Sequence, residues 1–313
     1  MNNPHFQLVD GRTRPDFLFI GGAKCGSTSF AIYLDAHPQV CIRGPKEPNF
    51  WSWGKYRKEY QDFFINESPI ANPDIEDRLS GEFSTSHLLH PLAPQRVYAA
   101  LPQAKIILML RNPVDRAYSH FMMSQLHGFE PDYSFDEIIR REIEEAPYLI
   151  EAHQRCFLEG KGHIASCMTR PDGTPIRVAS HRHEGSSIEL TSSRDLRKYY
   201  FKSFVFRSLY HDQVKRWMTT FPAAQLLIMQ AERFFEDPPL HMAKVCTFLG
   251  LTEFDFASSP RIQKIWGRGG SSALKKTADY REMNPETRTL LNSFFKPWNE
   301  KLSELTGLEL GWE

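Results

Sequence analysis

The stretch DFLFIGGAKCGSTSF, residues 16–30, gathers groups that bind an anion. Gly21, four residues and Gly26 frame a loop of the kind that cradles phosphate through backbone N–H groups. Such loops usually continue with Lys and then Ser or Thr. Here Ser27 stands where that lysine belongs, Thr28 follows, and the lysine sits three positions earlier as Lys24. The N–H groups of Gly22, Ala23, Lys24, Cys25, Gly26, Ser27 and Thr28, at the start of a helix, would form an anion site. A glycine turn that only packs a helix against a strand is the plain alternative.

A second anion grip is suggested after the run AKIILML, residues 104–110, where Arg111 leaves a strand end and Ser119 lies two turns along the next helix. A guanidinium and a hydroxyl converging on one oxyanion make a common phosphate grip. Together the two grips describe a ligand with phosphate groups at both ends of a ribose, unlike the single polyphosphate chain of a nucleoside triphosphate.

The elements that must position these groups alternate. PDFLFIGG reads as a buried strand followed by a helix that Pro38 ends. GEFS around Glu82 is a second strand with a helix beginning near Pro91. AKIILML is a third, with Pro113 in the first turn of the helix after it. AQLLIMQ, residues 224–230, is a fourth, followed by the helix PPLHMAKVCTFLG. Strands alternating with helices predict an α/β fold, a mostly parallel central sheet flanked by helices. Near the end, Asn284 as cap and Pro285 at the first position predict another helix start. Between about Gly128 and Lys198 the alternation is lost. That segment opens with a helix, SFDEIIRREIEEA, with Ser134 and Glu137 as a capping box. A long polar stretch rich in Gly, His and Arg follows, either a disordered loop or a lid over the acceptor side of a site.

The chain has 313 residues, with Lys+Arg 38 against Asp+Glu 38, so no polycationic surface for nucleic acid or membrane is expected. No apolar run reaches membrane-span length and no secretory signal opens the chain, which predicts a cytoplasmic enzyme. Cys25, Cys41, Cys156, Cys167 and Cys246 form no C-x-x-C pair, which favours free thiols. His153, Cys156, His163 and Cys167 are a conceivable zinc set, but their central gap is short for a finger or ribbon; surface histidines and buried thiols are the blander reading.

FIGGAKCGSTSF, HPQV, GPKEPNFW, GEFS, LRNPVDRAYSHF and the ending NEKLSELTGLELGW together closely resemble the sulfotransferases that use 3'-phosphoadenylyl sulfate (PAPS). The likeness runs over about residues 15–127 and 204–313, nearest the branch acting on sugars and natural products. It implies a single domain over 1–313 with the P-loop NTPase-like sulfotransferase fold and a long insertion at 128–198. It implies PAPS as co-substrate, 3',5'-bisphosphoadenosine (PAP) as product, no metal, and a small-molecule or saccharide acceptor. Lys24 would then stabilise the leaving oxygen of a loose transition state. Glu47 matches the general base of the saccharide-type relatives, with Lys46 beside it and Phe50, Trp51 and Trp53 as candidate pocket walls. His120 is the rival base and His87 a weaker one. Arg111 and Ser119 would hold the 3'-phosphate, and Arg268, Gly269 and Gly270 look like the loop that closes over the nucleotide. The relatives commonly carry lysine after the glutamate of GEFS, where this chain has Phe83. A kinase with a displaced Walker lysine and a nucleotide-binding regulator are the other readings.

Overall fold

In chain order the strands are β1 (Phe17–Phe19), β2 (Val40–Ile42), β3 (Leu79–Phe83), β4 (Lys105–Leu110), β5 (Arg177–Ala179), β6 (Ser187–Glu189) and β7 (Leu226–Gln230). The helices are α1 (Ser27–Asp35), α2 (Phe50–Trp53), α3 (Ser86–Leu89), α4 (Ala93–Ala100), α5 (Pro113–Leu126) and α6 (Phe135–Glu159). They continue as α7 (Ser193–Lys202), α8 (Tyr210–Thr220), α9 (Ala231–Glu236), α10 (Pro238–Leu249) and α11 (Pro285–Thr306). The structure is a computed structural model and describes residues 15–42, 47–53, 78–126, 134–160, 164–179, 187–260, 262–263 and 282–312. The chain divides into two compact units, one from residues 1–88, 93–110 and 220–280, the other from 89–92, 111–219 and 281–313.

The first unit is built on a five-stranded sheet in the order β2-β3-β1-β4-β7. All neighbours pair in parallel. Strands β1 and β4 read as near-continuous apolar runs because helices cover such sheets on both faces. The chain leaves β1 toward β2 and β3, then crosses back to β4 and β7. This reversal about β1 marks the place where open α/β sheets bind ligands, beyond the carboxyl ends of the strands. Phe19 lies between Phe30 and Phe83, with centroids 5.1 and 5.0 Å away, and Phe234 meets Phe30 edge-on at 5.5 Å. Phe83 is thus core, which takes position 83 out of reach of a ligand role. The edge strand β2 has no signature in the sequence: it is three residues long and begins at the last residue of HPQV.

Among its described residues the second unit is mainly helical, with β5 and β6 paired antiparallel. The capping box of Ser134 and Glu137 opens α6, and Asn284 caps α11 with Pro285 in its first turn, both as the sequence predicts. The helix does not stop near Ala146, however. It runs through Pro147 to Glu159, because Leu149, Ala152, His153 and Cys156 extend the same buried face. Nor is the following stretch one polar loop. Ile164, Cys167, Met168, Ile176 and Val178 are buried, and β5 pairs antiparallel with β6. Arg177 pairs with Glu189, and Arg170 stacks over the Tyr148 ring at 4.7 Å. His181, Arg182 and His183 lie outside the described residues. So does His163 of the zinc set; His153 is buried against the Tyr200 hydroxyl, and Cys156 and Cys167 are buried too.

Glu142 sits in the middle of this second unit, fully buried, its carboxylate accepting the N–H of Phe204 at 2.8 Å and of Val205. Burial pushes its pKa up to about 8, against the lowering pull of those N–H groups and of Arg116. The folded chain therefore keeps a proton that the unfolded chain has released above its ordinary carboxylate pKa. Stability contributed by this group is full at acid pH and falls as pH rises from about 4.5 toward about 8. Denaturant unfolding of Glu142→Gln against wild type across that range should show a shallower pH slope in the variant; parallel slopes would mean that Glu142 folds ionised.

Candidate active site

The loop after β1 has a geometry that most residues cannot adopt. A Cβ at Gly21 would lie 2.7 Å from the Met109 carbonyl oxygen and 2.8 Å from the Phe19 ring, so only glycine lets the chain pass this close to β4. Gly22 then donates its N–H to Met109 O at 3.0 Å. Gly26 ends the loop with φ 90°, and a Cβ there would meet the Phe235 ring at 2.6 Å. It is the N-cap of α1, a helix with no side-chain cap and no acidic residue in its first turn. Nothing on the helix itself competes with an incoming anion for the partial positive charge of that terminus. Cys25 and Ser27 are buried, Ala23 and Lys24 are half-buried, and Thr28 is exposed. The donor set and the close approach of backbone fit the 5'-phosphosulfate end of a nucleotide.

Lys24 itself has φ 70°. Among the described residues the other non-glycines with positive φ are Glu47 at 64° and Asn49 at 55°. Each such residue costs about 1–3 kcal/mol and persists only where its surroundings over-determine it, which happens most at functional sites. Both residues assigned to chemistry in the sequence thus sit in strained backbone.

Glu47 is fixed at the carboxyl end of β3. Its N–H donates to Phe83 O at 2.9 Å. Its carboxylate accepts the Thr85 N–H at 2.9 Å and the Thr85 hydroxyl at 3.0 Å. Phe83 pairs in register with Phe19, and Ser84 N donates to Phe19 O at 3.0 Å. The cradle after β1 and the Glu47 carboxylate therefore stand at the ends of neighbouring strands. A carboxylate engaged by one threonine keeps lone pairs for a proton to be taken. Thr85 and the hydroxyls around it escaped the sequence reading, although the run Ser84–Thr85–Ser86 directly after a strand end was its available signal.

The remaining sequence-derived residues separate into four groups. Phe50 and Trp51 are buried in contact with each other, so of the proposed aromatic walls only Trp53 is partly exposed. His87 is fully buried, bonded to Glu82 at 2.8 Å and to Ser52 at 2.5 Å, and is no acceptor-facing base. Arg111 follows directly on β4, two residues beyond the carbonyl that receives Gly22, and belongs to the second unit with Ser119 and His120 on α5. Arg111 and Ser119 are half-buried; His120 is buried, its ring edge-on to Phe204 at 5.0 Å. Lys46, Arg268, Gly269 and Gly270 lie outside the described residues. Among the described residues, no three His, Cys, Asp or Glu side chains are grouped as metal ligands, and no helix is long and apolar enough to cross a membrane.

Known proteins are similar to this chain in sequence and fold. The chain is 27% identical over 312 residues to the bifunctional heparan sulfate N-deacetylase/N-sulfotransferase 2 of Bos taurus, covering 93% of this chain and 29% of that protein. It thus spans less than a third of that relative's length. A membrane-associated sulfotransferase, kil1, of Dictyostelium discoideum is 24% identical over 328 residues, 96% of this chain and 66% of its own. The crystal structure of a sulfotransferase from Alicyclobacillus acidocaldarius superposes with a TM-score of 0.58 at 27% identity, covering 95% of this chain and 97% of that one. The model of the sulfotransferase domain matches residues 14–276, and with that match over most of its length the chain belongs to the sulfotransferase family.

Proposed function

We propose that this sulfotransferase, whose donor is PAPS, moves the sulfonate to a hydroxyl or amine of a saccharide or related natural product. One observation carries the reading. The anion cradle with Lys24 and the anchored Glu47 occupy the carboxyl ends of adjacent strands. Lys24 would balance the charge that grows on the leaving phosphate oxygen, and Glu47 would take the acceptor proton. The saccharide class is supported by the heparan sulfate relatives and opposed by Phe83, an apolar core residue where the saccharide-type family that this chain resembles commonly carries a lysine.

Arg111 and Ser119 would take the 3'-phosphate. The test is transfer of labelled sulfonate to an oligosaccharide carrying free hydroxyls and a free amine, beside a simple phenol. Label confined to the phenol would end the saccharide reading. In the same preparation Arg111→Ala should weaken PAP binding by about 2–4 kcal/mol, the scale for removing one partner of a charge-assisted pair. Adenosine 5'-phosphate should hardly notice the change. Equal losses for both nucleotides would place Arg111 elsewhere than at the 3' end.

A further inference from the structure

Behind Glu47 lies a polar cluster with no solvent access and no part in the chemistry described so far. Its hub is Glu82, at the end of β3 and almost completely buried. The Glu82 carboxylate receives three donors: the Trp51 indole N–H at 3.2 Å, the Ser84 hydroxyl at 2.9 Å and His87 Nε2 at 2.8 Å. His87 Nδ1 in turn lies 2.5 Å from the Ser52 hydroxyl. With Nε2 donating to the carboxylate, Nδ1 is left to accept from Ser52 in the neutral ring. Serine, histidine and glutamate are linked here as in a hydrolytic triad, but Ser52 is buried and its hydroxyl faces no solvent. A nucleophile's role is closed to it.

The cluster points instead at Glu47. A serine hydroxyl has one proton and two lone pairs. Because Ser84 gives its proton to Glu82, its lone pairs are turned toward the backbone N–H of Asn49, which donates to Ser84 Oγ at 3.0 Å. The Asn49 side-chain amide then donates to the Glu47 carbonyl oxygen at 2.7 Å. Glu47 and Asn49 are both held at positive φ, a backbone that needs such external fixing. Thr85, next to Ser84 in the chain, grips the Glu47 carboxylate itself. From the other side Glu82 anchors Trp51 and, through His87, Ser52, so both ends of the segment from Glu47 to Ser52 answer to one carboxylate.

The geometry points to Glu82 as the positioning residue of the reaction, acting with Ser84 and Asn49 to hold Glu47 in the conformation in which it takes the acceptor proton. This rests on the reading of Glu47 as the base. Glutamine cannot reproduce the hub. With its one acceptor oxygen in the place of Oε1 it keeps Ser84 and His87 but sets its NH2 against the Trp51 indole N–H; turned the other way, the NH2 meets the His87 N–H and reverses the Ser84 hydroxyl, setting that proton against the Asn49 N–H.

A double-mutant cycle on turnover tests the assignment, with PAP affinity measured alongside. Glu82→Gln and, separately, Ser84→Ala should each lower kcat by about 10- to 100-fold, the range expected when a reacting group is displaced by about an ångström. PAP affinity should stay within about twofold, because the cradle after β1 is untouched. In a Glu47→Gln background either change should add nothing further, since it acts only through Glu47. If Glu47→Gln is crippled and the second change still multiplies the loss, or if neither single variant loses turnover, the positioning role is wrong while the base survives. If Glu47→Gln works normally, base and positioning role fall together. Should Glu82→Gln fail to fold, Ser84→Ala decides alone; a parallel loss of PAP affinity in Ser84→Ala would make the cluster a fold element and overturn the proposal.

Discussion

Replacing Glu47 with glutamine is expected to cut turnover by about 10²–10⁴-fold, the range for a general base, while PAP binds as in wild type. Glutamine keeps the size and can still accept the Thr85 N–H on its oxygen, so the loop should hold its path from Phe83 to Asn49. What it cannot do is remove a proton from a hydroxyl or ammonium acceptor as the sulfonate arrives. Two further readouts sharpen the expectation. The acid limb that a carboxylate base imposes on the pH profile of kcat should vanish in the variant. An acceptor with a more acidic hydroxyl should recover part of the rate, because it needs less help in losing its proton. His120 offers the contrast. It is buried against Phe204, and His120→Ala should act mainly on stability. Near-normal turnover in Glu47→Gln with none in His120→Ala would transfer the base to the histidine.

The parts of this site that the sequence discloses are those that repeat a local pattern. The cradle is contiguous in the chain, and its two framing glycines, Gly21 and Gly26, are needed for reasons local to the loop: close backbone approach at one and φ 90° at the other. Strands β1, β4 and β7 announce themselves by apolar runs, whereas β3, with Ser80, Gly81 and Glu82 inside it, is legible only from GEFS. The β2 edge strand announces itself by neither, because three residues give no period to read. The helix read over SFDEIIRREIEEA falls short of α6, which continues beyond it to Glu159 because its apolar face does. Here Leu149, Ala152 and Cys156 carry that face past Pro147. The Glu82 cluster is opaque for a different reason. Trp51 is 31 residues from Glu82 in the chain, and the link from Ser84 to Asn49 spans 35. Contacts of that separation are decided by strand order, not by spacing. GEFSTSH shows a carboxylate among hydroxyls and a histidine; only the fold turns the pocket of donors inward and its effects toward Glu47.

Lys24 provides the second large effect, and its backbone allows function to be separated from stability. Lys24→Ala should lower kcat by about 10²–10³-fold, the scale for losing one preorganised group that meets charge developing in the transition state. PAP affinity should change little, because the leaving oxygen carries its added charge only as the bond to sulfur breaks. Alanine at φ 70° inherits the same strain as lysine. Glycine does not, since without a Cβ it occupies the left-handed region freely. Lys24→Gly should therefore unfold at a higher temperature than Lys24→Ala, by an amount matching about 1 kcal/mol, and still be as inactive as the alanine variant. The comparison runs the two readouts in opposite directions at a single position. A residue kept for folding would lose stability when truncated and regain activity when its strain is relieved. A residue kept for the transition state gains stability with glycine and stays inactive, as strain retained for chemistry requires. If Lys24→Gly restores turnover toward wild type, the lysine shapes the loop and the charge on the leaving oxygen is met by some other group. If both variants lose PAP binding in step with turnover, Lys24 holds the ground-state nucleotide, and its place at the breaking bond must be given up.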